Sequence, residues 1–174
     1  MTGFLNPTAE ILGYLYDYQQ LVPGDIISSV SDRVTGHLSG LDEIEMHDLL
    51  CCLRLLRTEA LPENSREPIH QKLTHLVGAT IACDSAEWEG YSLRPLQVVH
   101  DPESPFMAGI EEAVGANLDY EISSQNENGP WSPTWSWERP NPGDGPRVRL
   151  EWTGIVTLEN LLTLKRFNRI EGIA

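Results

Sequence analysis

Apolar residues recur every three or four positions through most of the chain, and this period predicts amphipathic helices. Ile11, Leu12 and Leu15 follow Asn6 and Pro7, which suit an N-cap and a first helical position. Later apolar runs have the same spacing and are separated by Pro23-Gly24 and by Gly40. We predict helices over residues 7–18, 25–39, 43–58, 65–81, 109–124 and 155–168.

These helices are mostly joined by short turns, which favours an all-α array of about three helical hairpins. The helix over 43–58 is apolar on most sides and is predicted to be the most buried. Two long irregular loops interrupt the C-terminal half, one over 83–105 and one after residue 124. The only weak strand candidates are residues 93–99 and 147–152.

Length and charge limit the classes of function. A chain of 174 residues is expected to form a single domain over 1–174 with a substantial hydrophobic core. Its net charge of −14 disfavours nucleic acid and anionic membrane surfaces as partners. No apolar run approaches the roughly 20 residues of a membrane span. Three cysteines without a CxxC pair, and no signal-peptide pattern, favour a reduced, cytoplasmic protein.

All five tryptophans lie between Trp88 and Trp152, and the segment from Gln125 to Trp137 contains three of them. The last carbonyls of a helix lack partners, and the Gln125 amide is placed to donate to them. Gly129 permits a left-handed backbone at the exit from the helix. Trp131 is then expected to pack over the next helix and to tie adjacent hairpins together.

Residues 118–131 resemble the repeat of squalene-hopene-type terpenoid cyclases and related prenyltransferases. The whole chain resembles a group of uncharacterised bacterial proteins that carry this repeat. The matching segments are residues 6–11, 47–50, 87–91, 95–96, 104–106, 131–135 and 151–155. The resemblance implies an α/α-toroid-like fold. About three hairpins are too few to close a toroid, so we expect an incomplete toroid completed by a homodimer or a second toroid-like chain.

The catalytic motifs of the toroid families are missing from this sequence. It has no Asp-x-Asp-Asp acid motif, and Cys83-Asp84 reverses the zinc-binding order of the protein prenyltransferases. His47 and Cys51 share one helical face, but that helix is otherwise apolar, which favours a core position for the thiol. We therefore predict no metal site and no cofactor.

The remaining candidates for a site are one acid and a set of aromatic residues. Asp101, beside His100 and Glu103, is the best candidate for a general acid, although it also suits a turn into the next helix. In a toroid, aromatic faces bind isoprenoid chains and stabilise carbocations. The predicted substrate-binding residues are Trp88, Tyr91, Trp135, Trp137 and Trp152.

Two functions follow as hypotheses. The first is a biosynthetic enzyme, or an enzyme component, that acts on an apolar isoprenoid- or polyketide-like small molecule, with proton-initiated cyclisation as the family-like reaction. The alternative is a non-catalytic helical-repeat module that binds a partner protein through its aromatic loops. A relationship to carbohydrate-active (α/α) barrels is a third possibility, but no pair of carboxylates can be placed at catalytic separation.

Overall fold

The computed structural model describes residues 4–134 and 145–170. Within these residues the protein is all-α, with no strand, as the hydrophobic pattern predicts. Neither weak strand candidate forms a strand: within residues 93–99 only Pro95–Gln97 forms a 3-10 turn, and residues 147–152 lie inside a helix. The helices of the described residues are α1 (Leu5–Asp17), α2 (Gly24–Ser39), α3 (Met46–Leu56), α4 (Glu63–Thr80), α5 (Glu111–Ser123) and α6 (Gly145–Arg166).

The bounds of α1, α2, α4 and α5 agree with the predicted ranges to within about two residues, which is the usual uncertainty of helix ends. Helix α3 starts later than predicted because the Glu45 side chain accepts a hydrogen bond from the His47 backbone N–H (2.8 Å) and caps it. Helix α6 starts at Gly145 rather than at residue 155. Pro146 occupies its first turn, where a missing N–H has no cost.

The chain divides into two compact units, Met1–Ile81 and Ala82–Ala174. The N-terminal unit contains α1 to α4, and the C-terminal unit contains α5, α6 and the 3-10 turns Ser85–Glu87 and Pro95–Gln97. The single domain and the toroid-like arrangement of hairpins remain predictions.

In the N-terminal unit, α1 packs against α2 and α3, and α4 packs against the same two helices. The buried core includes Leu5, Ala9, Leu12, Val34, Leu38, Leu49, Leu55, Ile69 and Leu73. Helix α3 contributes buried residues from most of its circumference, including Leu49, Cys51 and Cys52. The prediction that this segment is deeply buried is therefore confirmed.

Two charged side chains tie the helix ends of this unit together. The buried Asp48 carboxylate on α3 accepts a hydrogen bond from the Asn6 backbone N–H in the first turn of α1 (2.6 Å). The Arg66 guanidinium on α4 donates to the backbone carbonyl of Leu56, the last residue of α3, and to those of Thr58 and Leu61 after it. A carboxylate at a helix N-terminus and a cation at a C-terminus both complement the helix dipole.

The cysteines give a direct test of the N-terminal core. Burial raises the pKa of the Cys52 thiol to about 12 and also raises that of Cys51, while Cys83 is exposed. Because the thiolate is the nucleophile, we expect iodoacetamide at pH 8 to modify Cys83 in the native protein and the other two only after unfolding. Peptide mass spectrometry measures this, and modification of Cys52 as fast as Cys83 would contradict the buried assignment.

Glu10 on α1 makes part of the stability dependent on pH. Its carboxylate accepts hydrogen bonds from the Tyr14 hydroxyl and from Arg54 on α3 (both 2.7 Å), and these contacts, led by Tyr14, lower its pKa. A carboxyl whose pKa is lower in the folded state stabilises the protein above its unfolded pKa and loses this effect as the pH falls through the folded value.

We therefore expect Glu10→Gln to reduce the free energy of unfolding by about 0.5–1 kcal/mol at pH 7, since the pair is only partly buried. The difference should disappear near pH 2. Urea unfolding followed by circular dichroism measures it, with exposed Glu59→Gln as the matched control. An equal loss at both pH values would contradict an electrostatic origin.

Candidate interaction surface

The C-terminal unit is organised around the carboxylate of Glu121 on α5, a buried residue that is 6% exposed. Arg94, from the loop before α5, donates to Oε1 at 2.8 Å, and Asn160 on α6 donates to Oε2 at 2.9 Å. The backbone carbonyl of Glu121 accepts a hydrogen bond from the indole N–H of Trp131 at 2.6 Å. One residue thus connects the preceding loop, the following segment and α6 to α5.

Asn117 and Trp88 complete this interior. Asn117 is fully buried one turn before Glu121, and its Oδ1 accepts a hydrogen bond from the Leu96 backbone N–H at 3.1 Å. Trp88 is 1% exposed and donates its indole N–H to the Ala82 carbonyl at 2.7 Å. Its ring meets Tyr120 edge to face, with centroids 5.3 Å apart. The side chains of Asn117 and Trp88 therefore both stabilise the loop before α5.

The tryptophan-rich segment after α5 forms a clasp, but the donor differs from the one predicted. Gln125 donates to the Gly129 carbonyl at 2.7 Å and so stabilises the turn itself, in which Gly129 has a φ of +101°. The indole of Trp131 instead satisfies a carbonyl in the last turn of α5. The Trp131 backbone N–H donates to Thr157 Oγ1 on α6 at 3.0 Å. Trp131 thus donates a hydrogen bond to each of α5 and α6, while the packing of its ring over the next helix and a clasp between hairpins remain predictions.

The predicted site residues lie in different environments. Trp88 is in the core, whereas Tyr91 is 73% exposed, and Trp152 is half-buried on α6. Asp101 is half-buried in a turn, where its Oδ1 accepts a hydrogen bond from the Glu103 backbone N–H at 3.0 Å. Trp135 and Trp137 lie outside the described residues. A catalytic role for Asp101 and substrate binding by these aromatic residues remain predictions.

The described part of the chain contains no group of three or more His, Cys, Asp or Glu side chains that could hold a metal ion. His47 Nδ1 instead lies 2.8 Å from Glu45 Oε1, within the same turn. In the same described ranges, no helix is long and apolar enough to cross a membrane. All buried side-chain nitrogen and oxygen atoms there have a hydrogen-bond partner, so none of them points to a missing ligand.

Helix α6 has an inverted distribution of polarity. The face toward α5 carries Thr157 and Asn160, which form the hydrogen bonds described above, together with the buried Leu164. At 100° per residue, Ile155, Leu158 and Leu162 lie on the opposite side of the helix. These three side chains are exposed, and Leu158 is 59% exposed.

We call this surface the α6 outer face and define it as Ile155, Leu158 and Leu162. Leu150 and Leu161, both exposed, lie on the flank of the helix, nearer to Thr157 than to Ile155. Apolar residues at helical spacing normally predict the buried side of a helix, so this spacing alone does not indicate an exposed surface. The same helix has a second, polar pattern that indicates the covered side, because Thr157 and Asn160 lie between the leucines at helical spacing.

Removing the Glu121 carboxylate should damage the whole C-terminal unit. Glu121→Ala leaves the partly buried Arg94 without its partner and removes the acceptor of Asn160, so we expect a loss of about 2–3 kcal/mol in the free energy of unfolding. Thermal unfolding followed by circular dichroism measures it. Glu112→Ala, at an exposed position on the same helix, is the matched control and should be close to neutral. Equal effects of the two substitutions would contradict the organising role of Glu121.

Comparison with protein-family models, with curated protein sequences and with solved structures finds no match to this chain. The resemblance to terpenoid-cyclase repeats therefore rests on the sequence segments quoted above.

Proposed function

We propose that this protein is a non-catalytic helical module that binds a protein partner through the α6 outer face. The observation that carries the proposal is the exposure of Ile155, Leu158 and Leu162 on the side of α6 opposite to its hydrogen bonds with α5 and with the segment that follows α5. A contiguous exposed apolar patch is typical of an interaction surface, whereas scattered exposed leucines are not.

The energetics of the C-terminal unit support this proposal. The inner side of α6 is held by the hydrogen bond that Asn160 donates to Glu121, by the one that Thr157 accepts from the Trp131 backbone, and by the buried Leu164. The apolar surface of the outer face is in water and adds little to folding in this state. A partner that buries this surface would remove it from water, which contributes roughly 25 cal/mol per Å² to the free energy of binding before the costs of association are subtracted. The binding surface proposed here is thus aliphatic and helical rather than an aromatic loop.

The cyclase-like hypothesis has less support from the same residues. The indole N–H of Trp88 is hydrogen-bonded in the core, so its ring could meet a substrate only if the surrounding residues moved. The Asp101 carboxylate accepts a backbone hydrogen bond within its own turn. The hydrogen bonds of Trp88 and Asp101 are explained by folding alone.

The proposal includes a location in the reducing cytoplasm, because the three free thiols are compatible with a reducing compartment.

A lysine scan of α6 tests whether the outer face is a free surface. We expect Leu158→Lys to change the free energy of unfolding by less than about 0.5 kcal/mol, because the new charge remains in water. Leu164→Lys on the inner face should cost about 3 kcal/mol or more, because that side chain is buried. Urea unfolding of dilute protein measures both.

A comparable loss in both variants would overturn the proposal, since the outer face would then be part of the folded interior. Asn160→Leu is a useful third variant, because it keeps the size of the inner side chain and removes only its hydrogen bond to Glu121. It should destabilise the protein although it makes α6 more apolar.

A further inference from the structure

We infer that the occupant of the α6 outer face is the outer face of a second copy of this chain, with the two α6 helices antiparallel and the Leu158 residues opposite each other. This inference rests on the proposed function and specifies its partner. A two-fold axis through Leu158 pairs residues whose numbers sum to about 316. Ile155 of one copy then faces Leu162 of the other.

The order of charges along α6 selects the antiparallel arrangement. Glu151 and Lys165 lie near the two ends of the outer face, seven residues before and seven after Leu158. An antiparallel pair therefore places Glu151 opposite Lys165 twice. A parallel pair would place each of these charges opposite its own copy, which is repulsive. Glu151 already pairs with Arg147 in its own helix (2.9 Å), and a carboxylate has oxygen acceptors for both cations.

The distribution of charge over the chain also favours contact between copies at α6. The net charge of −14 makes two copies repel each other in most orientations. Helix α6 contains four basic residues and two acidic residues, and it is the only one of the six described α-helices with a positive balance. Its basic residues are Arg147, Arg149, Lys165 and Arg166, and its acidic residues are Glu151 and Glu159. Approach through α6 therefore brings together the described α-helix with the most positive charge balance in each copy.

The size of the surface sets the strength of the contact. Helix α6 has 22 residues, so it is about 33 Å long, and packed helices lie about 8–10 Å apart. One pair of helices is a small interface compared with those of obligate dimers. We therefore expect a reversible dimer with a Kd in the range of about 1–100 μM.

Site-directed crosslinking tests the register of the pair. In the full chain with exposed Cys83→Ser, we expect Leu158→Cys to form an intermolecular disulfide on mild oxidation, because the two residues face each other near the axis. Glu151→Cys is the matched control. In the antiparallel pair its two copies are separated by 14 residues along the helices, about 21 Å, so it should not crosslink with itself. Crosslinking at both positions would indicate a parallel pair and overturn the inference.

Charge reversal tests the ion pairs independently. Sedimentation equilibrium should show Glu151→Lys and Lys165→Glu each weakening dimerisation by at least about 5-fold, because each substitution places like charges opposite each other. The double variant restores opposite charges and should recover most of the affinity. Failure of the double variant to recover would contradict the proposed register.

The two proposals fail in different ways. If wild-type protein remains monomeric at about 500 μM, well above the expected Kd, the inference that a second copy occupies the outer face is overturned. The outer face then remains a candidate for another partner, provided that Leu158→Lys leaves folding intact. If Leu158→Lys unfolds the monomer, the proposed function itself fails, whatever the state of association.

Discussion

The buried carboxylate of Glu121 is the constraint on which the C-terminal unit depends. A buried charge is costly unless it is paired and hydrogen-bonded, and Arg94 and Asn160 meet this need from either side of α5 in the sequence. These contacts require the loop before α5 and the helix after it to be in place together. The same residue accepts the indole N–H of Trp131 through its backbone. Much of the unit therefore forms around one side chain.

The constraint also determines which side of α6 faces solvent. Hydrogen bonds are directional, so the bond that Asn160 donates and the bond that Thr157 accepts fix the rotation of α6 about its axis. With these polar residues turned inward, Ile155, Leu158 and Leu162 are turned outward. The exposed apolar surface is thus a consequence of the buried polar network. Trp88 and Asp101, by contrast, are held by separate hydrogen bonds, with the Ala82 carbonyl and with the Glu103 backbone N–H.

Much of the fold could be predicted from local sequence. Pro7 and the apolar spacing after it placed α1, and the dense leucines of α3 indicated its burial. The start of α6 was missed because Pro146 and the glycines before it resemble a loop when read alone. Its orientation was missed because a period of 3.6 residues shows that a stripe exists but not which side is covered. The hydrogen bond between Asn160 and Glu121, which are 39 residues apart in the sequence, decides which side of α6 is covered.

The most direct measurement is a nitroxide scan along α6 in dilute, monomeric protein with Cys83→Ser, with the label placed in turn at positions 155, 158, 162 and 164 so that Thr157 and Asn160 stay in place. Electron paramagnetic resonance reports the mobility of each label and its access to a water-soluble relaxant. A rotation fixed by Glu121 predicts mobile, accessible labels at 155, 158 and 162 and an immobile, protected label at 164. Protection of 155, 158 and 162 instead, or the same accessibility at all four positions, would contradict an α6 whose rotation is fixed by Glu121.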